Sequence, residues 1–197
     1  MAKKTTSEIL EILKKNPVIP CTSHYDELLK EEYAQNKLSL VYDISIFDLI
    51  KIAKKKNDAK KEIILNLDTL KGLSSDDYGI KFIHDYLKIK ILSTASPRII
   101  NLLKKTDITI VQSMFILDTK SLKKGLQLVK AGKPDFLDIR PGILYPKTSG
   151  LIREELGDIP IICSGFINNK PELEKILSFG AKAVTTSTQD LWTLYTR

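Results

Sequence analysis

Apolar, β-branched runs recur along the chain at near-regular spacing, and each is followed by a stretch of different period. The runs fall at 18–21, 38–42, 63–67, 89–92, 108–111, 136–139, 159–163 and 183–186. Short continuous runs of this kind read as strands buried on both faces. Between them, apolar residues return near every 3.6 positions, as in Phe47, Ile50 and Ile52 or Leu122, Leu126 and Val129, which reads as amphipathic helix. Ser75-Asp76-Asp77, Ser96-Pro97 and Asn169-Lys170-Pro171-Glu172 mark helix starts. Asp43 and Asp68 lie 25 residues apart and Asp138 and Ser164 lie 26 apart, each about one strand plus one helix. Alternation of this kind implies a parallel sheet covered by helices. An open doubly wound sheet fits the local pattern equally well. The count of eight units decides for an α/β fold, a compact (βα)8 TIM-type barrel. Residues 5–15 are expected to form an extra N-terminal helix closing the barrel floor. With no Pro/Gly/Ser-rich divide, residues 1–197 read as one domain.

Composition narrows the function classes. At 43% apolar and 28% charged, the chain is of ordinary globular make-up. No apolar run approaches the roughly 20 residues that span a bilayer, so no membrane partner is expected. The opening Met1-Ala2-Lys3-Lys4 and the polar, amphipathic 5–15 do not read as a secretory signal. Cys21 and Cys163 make neither a disulfide framework nor a zinc site, and a reducing cytoplasm is the expected location. The formal charge of +7 permits an anionic partner. Four of the 31 basic residues are Arg, so an arginine-rich nucleic-acid-binding segment is absent.

Ligands in such a barrel bind at the C-terminal ends of the strands. Polar residues gather there: Asp43, Asn66 with Asp68, Ser93-Thr94, Gln112 with Asp118, and Asp138 with Arg140. Any one of them is as readily a helix cap; the set points to a ligand site. Two loops suit phosphate. Ser164-Gly165-Phe166-Ile167 follows the seventh strand, and Thr185-Thr186-Ser187-Thr188 is expected to open a last helix, whose N-terminus favours anions. A tight turn followed by a Ser/Thr cap is the plainer alternative. No catalytic set stands out. His24 follows the first strand, His84 reads as structural, and neither cysteine has an activating base. Asp43, Asp68 and Asp138 would hold Mg²⁺ only if they converge.

Several segments resemble the glycerol-3-phosphate-responsive antiterminator family. They include Lys15-Asn16-Pro17-Val18-Ile19-Pro20, Asn66-Leu67-Asp68-Thr69-Leu70-Lys71-Gly72-Leu73 and Pro134-Asp135-Phe136-Leu137-Asp138-Ile139-Arg140-Pro141-Gly142-Ile143. Ala183-Val184-Thr185-Thr186-Ser187-Thr188 continues the match, which runs in order from about residue 16 to 192. The resemblance implies a barrel that senses glycerol 3-phosphate and acts on leader mRNA of glycerol uptake genes, so that transcription passes a terminator. It implies no catalytic residue, metal or cofactor; glycerol 3-phosphate is the effector. Asp43, Asp68, Asp118 and Gly142 fall on family positions and, with Asp138, are the expected ligand contacts. Lys147, Gly165, Thr186 and Ser187 are the expected phosphate contacts. The chain departs from the pattern at Asn66 (for His), at Ala95 and Ser113 (each for Arg), at Arg140 (for an apolar residue) and at Ser164 (for Gly). Arg98 or Arg140 would have to supply the charge so lost.

A lysine-rich face is the expected RNA surface. Six of the eleven residues at 51–61 are lysine (Lys51, Lys54, Lys55, Lys56, Lys60 and Lys61), on the face opposite the ligand. The helix dipole alone explains lysines in a last turn, and that reading stands beside the first. The competing function is a barrel enzyme acting on a small phosphorylated substrate, with Mg²⁺ as an option; a scaffold that has lost its ligand is the third. A homo-oligomer is left open.

Overall fold

Eight parallel strands close on themselves in chain order: β1 (Val18–Thr22), β2 (Leu38–Val41), β3 (Glu62–Asn66), β4 (Ile91–Thr94), β5 (Thr109–Phe115), β6 (Phe136–Arg140), β7 (Ile161–Ser164) and β8 (Ala183–Thr186). The ring closes where β8 pairs with β1 through Val184↔Val18 and Thr185↔Ile19. This computed structural model describes residues 4–196; Met1, Ala2 and Lys3, read above against a signal segment, and Arg197 lie outside the described residues.

Strand alternation sorts side chains into two cores. The outward set packs under α2 (Ile46–Asp58), α3 (Asp77–Lys81), α4 (Pro97–Leu103), α5 (Thr119–Gly132), α6 (Tyr145–Leu156) and α7 (Lys170–Ser178). The inward set, including Ile19, Leu40, Ile64, Val111, Phe136 and Ile162, fills the barrel. Ile9 and Leu13 of α1 (Lys4–Lys15) join this inner cluster, so the N-terminal helix does close the floor. Its last turn carries Lys14 and Lys15, where cations suit the helix dipole. The expected helix starts also appear. Asp76 and Asn169 accept from the amides of Gly79 and Glu172, and Pro97 takes the first turn of α4, where its missing N–H costs nothing.

Three strands differ from the pattern by two residues or more. β4 begins at Ile91 rather than 89, because the Ile89 amide closes the π-turn Phe82–Tyr86 by donating to the Ile83 carbonyl. β7 begins at Ile161 rather than 159, after Pro160, which accepts a ladder bond but has none to donate. β5 runs on to Phe115, since Ser113 faces inward to Asp138 while Gln112 lies against Gly132 of α5. The larger correction concerns helices. β1 is followed by two 3₁₀ turns, Tyr25–Leu29 and Glu31–Tyr33, and β8 by one, Gln189–Leu191. No last helix starts at Thr186 and Ser187. Instead Trp192 donates from Nε1 to the Thr186 carbonyl at 2.8 Å and meets Tyr33 edge-on at 5.0 Å. These buried rings fill the outer shell that helices cover elsewhere. Among the described residues no helix is long and apolar enough to cross a membrane.

Candidate functional site

At the C-terminal ends of the strands a cavity of about 400 Å³ opens over the inner core. Its depth is polar because β6, β7 and β8 change character within one alternation. Phe136 gives way to Asp138 and Arg140, Ile162 to Ser164, and Ala183 to Thr185, each on the inward parity. Asp138 is fully buried. Its Oδ2 accepts from Arg140 Nε at 2.6 Å and more weakly from Ser113 Oγ at 3.4 Å; its Oδ1 accepts from Ser164 Oγ at 2.5 Å. Thr185 Oγ1 donates in turn to Ser164 Oγ at 2.5 Å. A buried carboxylate without such donors would cost several kcal/mol, so the network is a requirement of the fold as well as a site.

Arg140 is the cation of this cavity. Burial works against its charge, but the Asp138 carboxylate, with lesser help from Cys21 and Asp68, outweighs burial and raises its pKa. With Nε held by Asp138, the terminal nitrogens have no acceptor among the described residues and remain for a ligand. The guanidinium carbon also lies 6.0 Å from the centroid of the Phe115 ring. Arg98 does not take this role: its Nη2 donates to the Ser75 carbonyl at 3.3 Å, away from the cavity.

The phosphate-type loops reach the same space. Gly165, Thr186 and Ser187 all line the cavity. Gly165 has φ +91°, a conformation glycine adopts without penalty, and lets the chain turn over the opening. The Thr186 hydroxyl donates to the Ile167 carbonyl at 2.8 Å and accepts from the Thr188 amide, tying the two loops together. Lys147 is exposed in the first turn of α6 and does not line the cavity.

The remaining acids do not converge with Asp138. Asp43 pairs with Lys71 at 2.6 Å on the rim. Asp68 accepts from Thr94 Oγ1 at 2.6 Å and the Ala95 amide at 2.7 Å, bracing the end of β4. Asp118 caps α5 in a reciprocal box with Ser121, whose amide hydrogen bond holds its carboxyl below the ordinary range. Among the described residues no group of three or more metal-ligating side chains forms. The Mg²⁺ option therefore has no ligand set there. Gly142 does not line the cavity, and a Cβ there would stand 2.7 Å from the Ser164 amide, so the close packing of this turn on β7 requires glycine.

The lysine face is also redrawn. Lys56 and Lys61 are buried. Lys56 pairs with Glu62, and Lys61 donates to the Leu28 and Tyr33 carbonyls at 2.6 and 2.7 Å. Burial, then the Lys37 charge, lowers the Lys61 pKa to about 8. Lys51 and Lys55 pair with Asp48 and Asp26. Only Lys54 and Lys60 of the six are exposed and outside any ion pair among the described residues. A signal was present: Leu49, Ile52, Ala53 and Lys56 share one helical face.

Cys21, Tyr42, Asn66 and Phe115 also line the cavity, and sequence reasoning assigned no ligand role to Tyr42 or Phe115. Burial pushes the Cys21 thiol up to about 12, with Arg140 opposing and Asp138 adding. It is thus protonated at neutral pH and a poor nucleophile. Among the described residues no lysine or histidine lines the cavity. The wall offers one cation, hydroxyls and amides: groups that bind an oxygen-rich anion.

Comparison with known proteins gives the following. The family model described as glycerol-3-phosphate responsive antiterminator matches residues 18–192. The glycerol uptake operon antiterminator regulatory protein from Listeria monocytogenes str. 4b F2365 is 25% identical, over 90% of this chain and 95% of its own, with a TM-score of 0.82. A glycerol uptake operon antiterminator-related protein from Thermotoga maritima MSB8 is 22% identical, over 90% and 98%, with a TM-score of 0.79. A protein described as QR15, an aldolase, is 13% identical over 93% and 94%, with a TM-score of 0.68, and shares the barrel fold. No curated protein matches by sequence.

Proposed function

The chain belongs to the glycerol-3-phosphate responsive antiterminator family, and from that premise we propose that its barrel mouth binds glycerol 3-phosphate as effector and that the bound form acts on leader mRNA. The observation that carries this reading is the meeting of Arg140 with Gly165, Thr186 and Ser187 around one cavity. Arg140 offers paired N–H donors to a phosphate, the loop backbone approaches it closely, and Ser164 and Asn66 suit the glycerol hydroxyls. The Asp138 carboxylate acts through Arg140, fixing the guanidinium plane. A small phosphorylated metabolite and leader mRNA are the partners in this reading, the cytoplasm is its place, and no cofactor takes part.

An enzyme is the weaker reading. Among the described residues the wall holds no lysine for a Schiff base and no base–nucleophile pair, and its one thiol is protonated. The aldolase likeness supports the fold alone.

The test is a thermal-shift comparison of glycerol 3-phosphate, inorganic phosphate and glycerol. At 100 times its dissociation constant a ligand adds about 2.7 kcal/mol, which for a chain of this size raises Tm by about 5–10 °C. Glycerol 3-phosphate is expected to do so and glycerol to leave Tm unchanged. Equal shifts from glycerol and glycerol 3-phosphate, or none from either, would remove the reading.

A further inference from the structure

We infer that the exposed rings of Phe115 and Phe166 form a stacking platform for unpaired RNA bases, so that RNA docks across the barrel mouth, over the effector cavity. The inference rests on the reading of the chain as an effector-controlled RNA regulator and adds where the RNA sits.

Three observations converge. Phe115 and Phe166 both line the opening yet are 53% and 72% exposed, and Leu117, two residues beyond Phe115, is 86% exposed. Phe166 is held outward with φ +57°, a backbone state that bulky residues rarely adopt. The second observation is charge. Lys120 and Lys147 stand in the first turns of α5 and α6, at the same barrel end as Phe115, and neither is in an ion pair among the described residues. Neither helix has an acidic residue in that first turn. The helix dipole disfavours cations there, so it does not account for these lysines as it does for those at helix C-termini. Third, of the six lysines at 51–61, Lys56 and Lys61 are buried and Lys51 and Lys55 sit in surface ion pairs, which leaves Lys54 and Lys60 of that cluster for an RNA backbone.

Exposed aromatic faces interleaved with unpaired cations are the chemistry that recognises single-stranded RNA: bases stack on rings while lysines follow the phosphates. A second copy of the chain fits less well, because a two-fold interface would bring two sets of these lysines together. Docking at the mouth also gives effector control a short path. A bound glycerol 3-phosphate would lie beneath the stacked base, so each ligand changes the other's affinity by the same factor.

The experiment uses a fluorescein-labelled single-stranded RNA of about 12 nucleotides carrying 2-aminopurine, titrated at several salt concentrations with saturating glycerol 3-phosphate. Phe115→Leu and Phe166→Leu keep apolar bulk and remove the flat face. Each is expected to weaken binding by about tenfold and to relieve 2-aminopurine quenching, whereas Phe166→Trp restores both. Lys120→Glu is expected to reduce the salt slope by about 1. Lys54→Glu with Lys60→Glu should leave affinity near the parent's. If the leucine variants bind and quench as the parent does while the Lys54/Lys60 variant loses RNA, the mouth inference is overturned and the regulator reading stands. If the parent binds no RNA but forms a dimer that the leucine variants dissolve, the mouth meets a second copy and the inference is again overturned. If the parent binds glycerol 3-phosphate yet neither binds RNA nor dimerises, the inference and the RNA half of the regulator reading fall together.

Discussion

The two ends of the barrel are made from the same eight strands and do opposite things. At the floor, Ile9 and Leu13 of α1 seal an interior of aliphatic side chains and Phe136. At the mouth, two residues further along β6, the interior becomes Asp138, then Arg140 at the edge of the cavity. A single strand thus passes from hydrocarbon to a buried ion pair in four residues. The lysines follow a related division. Those at the floor lie mostly at helix C-termini, where the dipole accounts for them, while Lys120 and Lys147 at the mouth have no such explanation. The difference teaches that the floor serves stability alone while the mouth serves recognition as well, and substitutions should separate the two.

The largest expected effect is at the floor. Leu13→Ala should lower unfolding free energy by about 2–5 kcal/mol, as for other buried leucines, while the folded fraction keeps its glycerol 3-phosphate affinity. Urea unfolding and calorimetric titration check the two halves; a variant that loses ligand without losing stability would break the division. Next, Asp138→Asn at the mouth should weaken glycerol 3-phosphate by about 10- to 100-fold, since Arg140 loses its charged partner and its orientation. Unaltered affinity in that variant would separate Arg140 from its proposed anchor.

Lys61 tests the floor through pH. Lys61→Met leaves the Leu28 and Tyr33 carbonyls short of a donor and should cost about 1–3 kcal/mol. The folded pKa of Lys61, about 8, lies below the unfolded value, so between them the unfolded chain binds more protons and parent stability rises with pH. The deficit of the variant should therefore widen from pH 8 toward 10.5. A deficit that is flat over this window would contradict the burial of its charge. The smallest effect is expected at Asp118. Asp118→Ala should cost a little stability at neutral pH, an effect that fades as acid protonates the low-pKa carboxyl, and should leave ligand affinity alone. A lost ligand would return Asp118 to the site.

Much of the fold was legible in the sequence because buried parallel strands are continuous apolar runs, and all eight lie within or beside them. The floor helix was legible from its amphipathic period. The missing helices after β1 and β8 were not, because covering a strand with Tyr33 and Trp192 leaves no periodic trace. In the site, strand-end position identified Asp138, Gly165, Thr186 and Ser187, which the structure brings to one opening or its base. It also drew in Asp43, Asp68 and Asp118, because a cap and a ligand contact have the same residue type at the same place. Strand parity sets aside Asp43 and Asp118, but Asp68 shares the inward parity of Ile64 and Asn66 and is drawn off only by its bonds to Thr94 and Ala95. Lys56 and Lys61 were read as surface from charge alone, although Lys56 recurs on the buried face of α2.

The most direct measurement is a calorimetric titration of glycerol 3-phosphate into the parent protein and Arg140→Met, with glycerol as the uncharged control. The parent should bind glycerol 3-phosphate and not glycerol. The variant should bind about 10- to 150-fold more weakly, the range for losing hydrogen bonds to a charged group. Equal affinity in parent and variant would place the phosphate outside the mouth of the barrel.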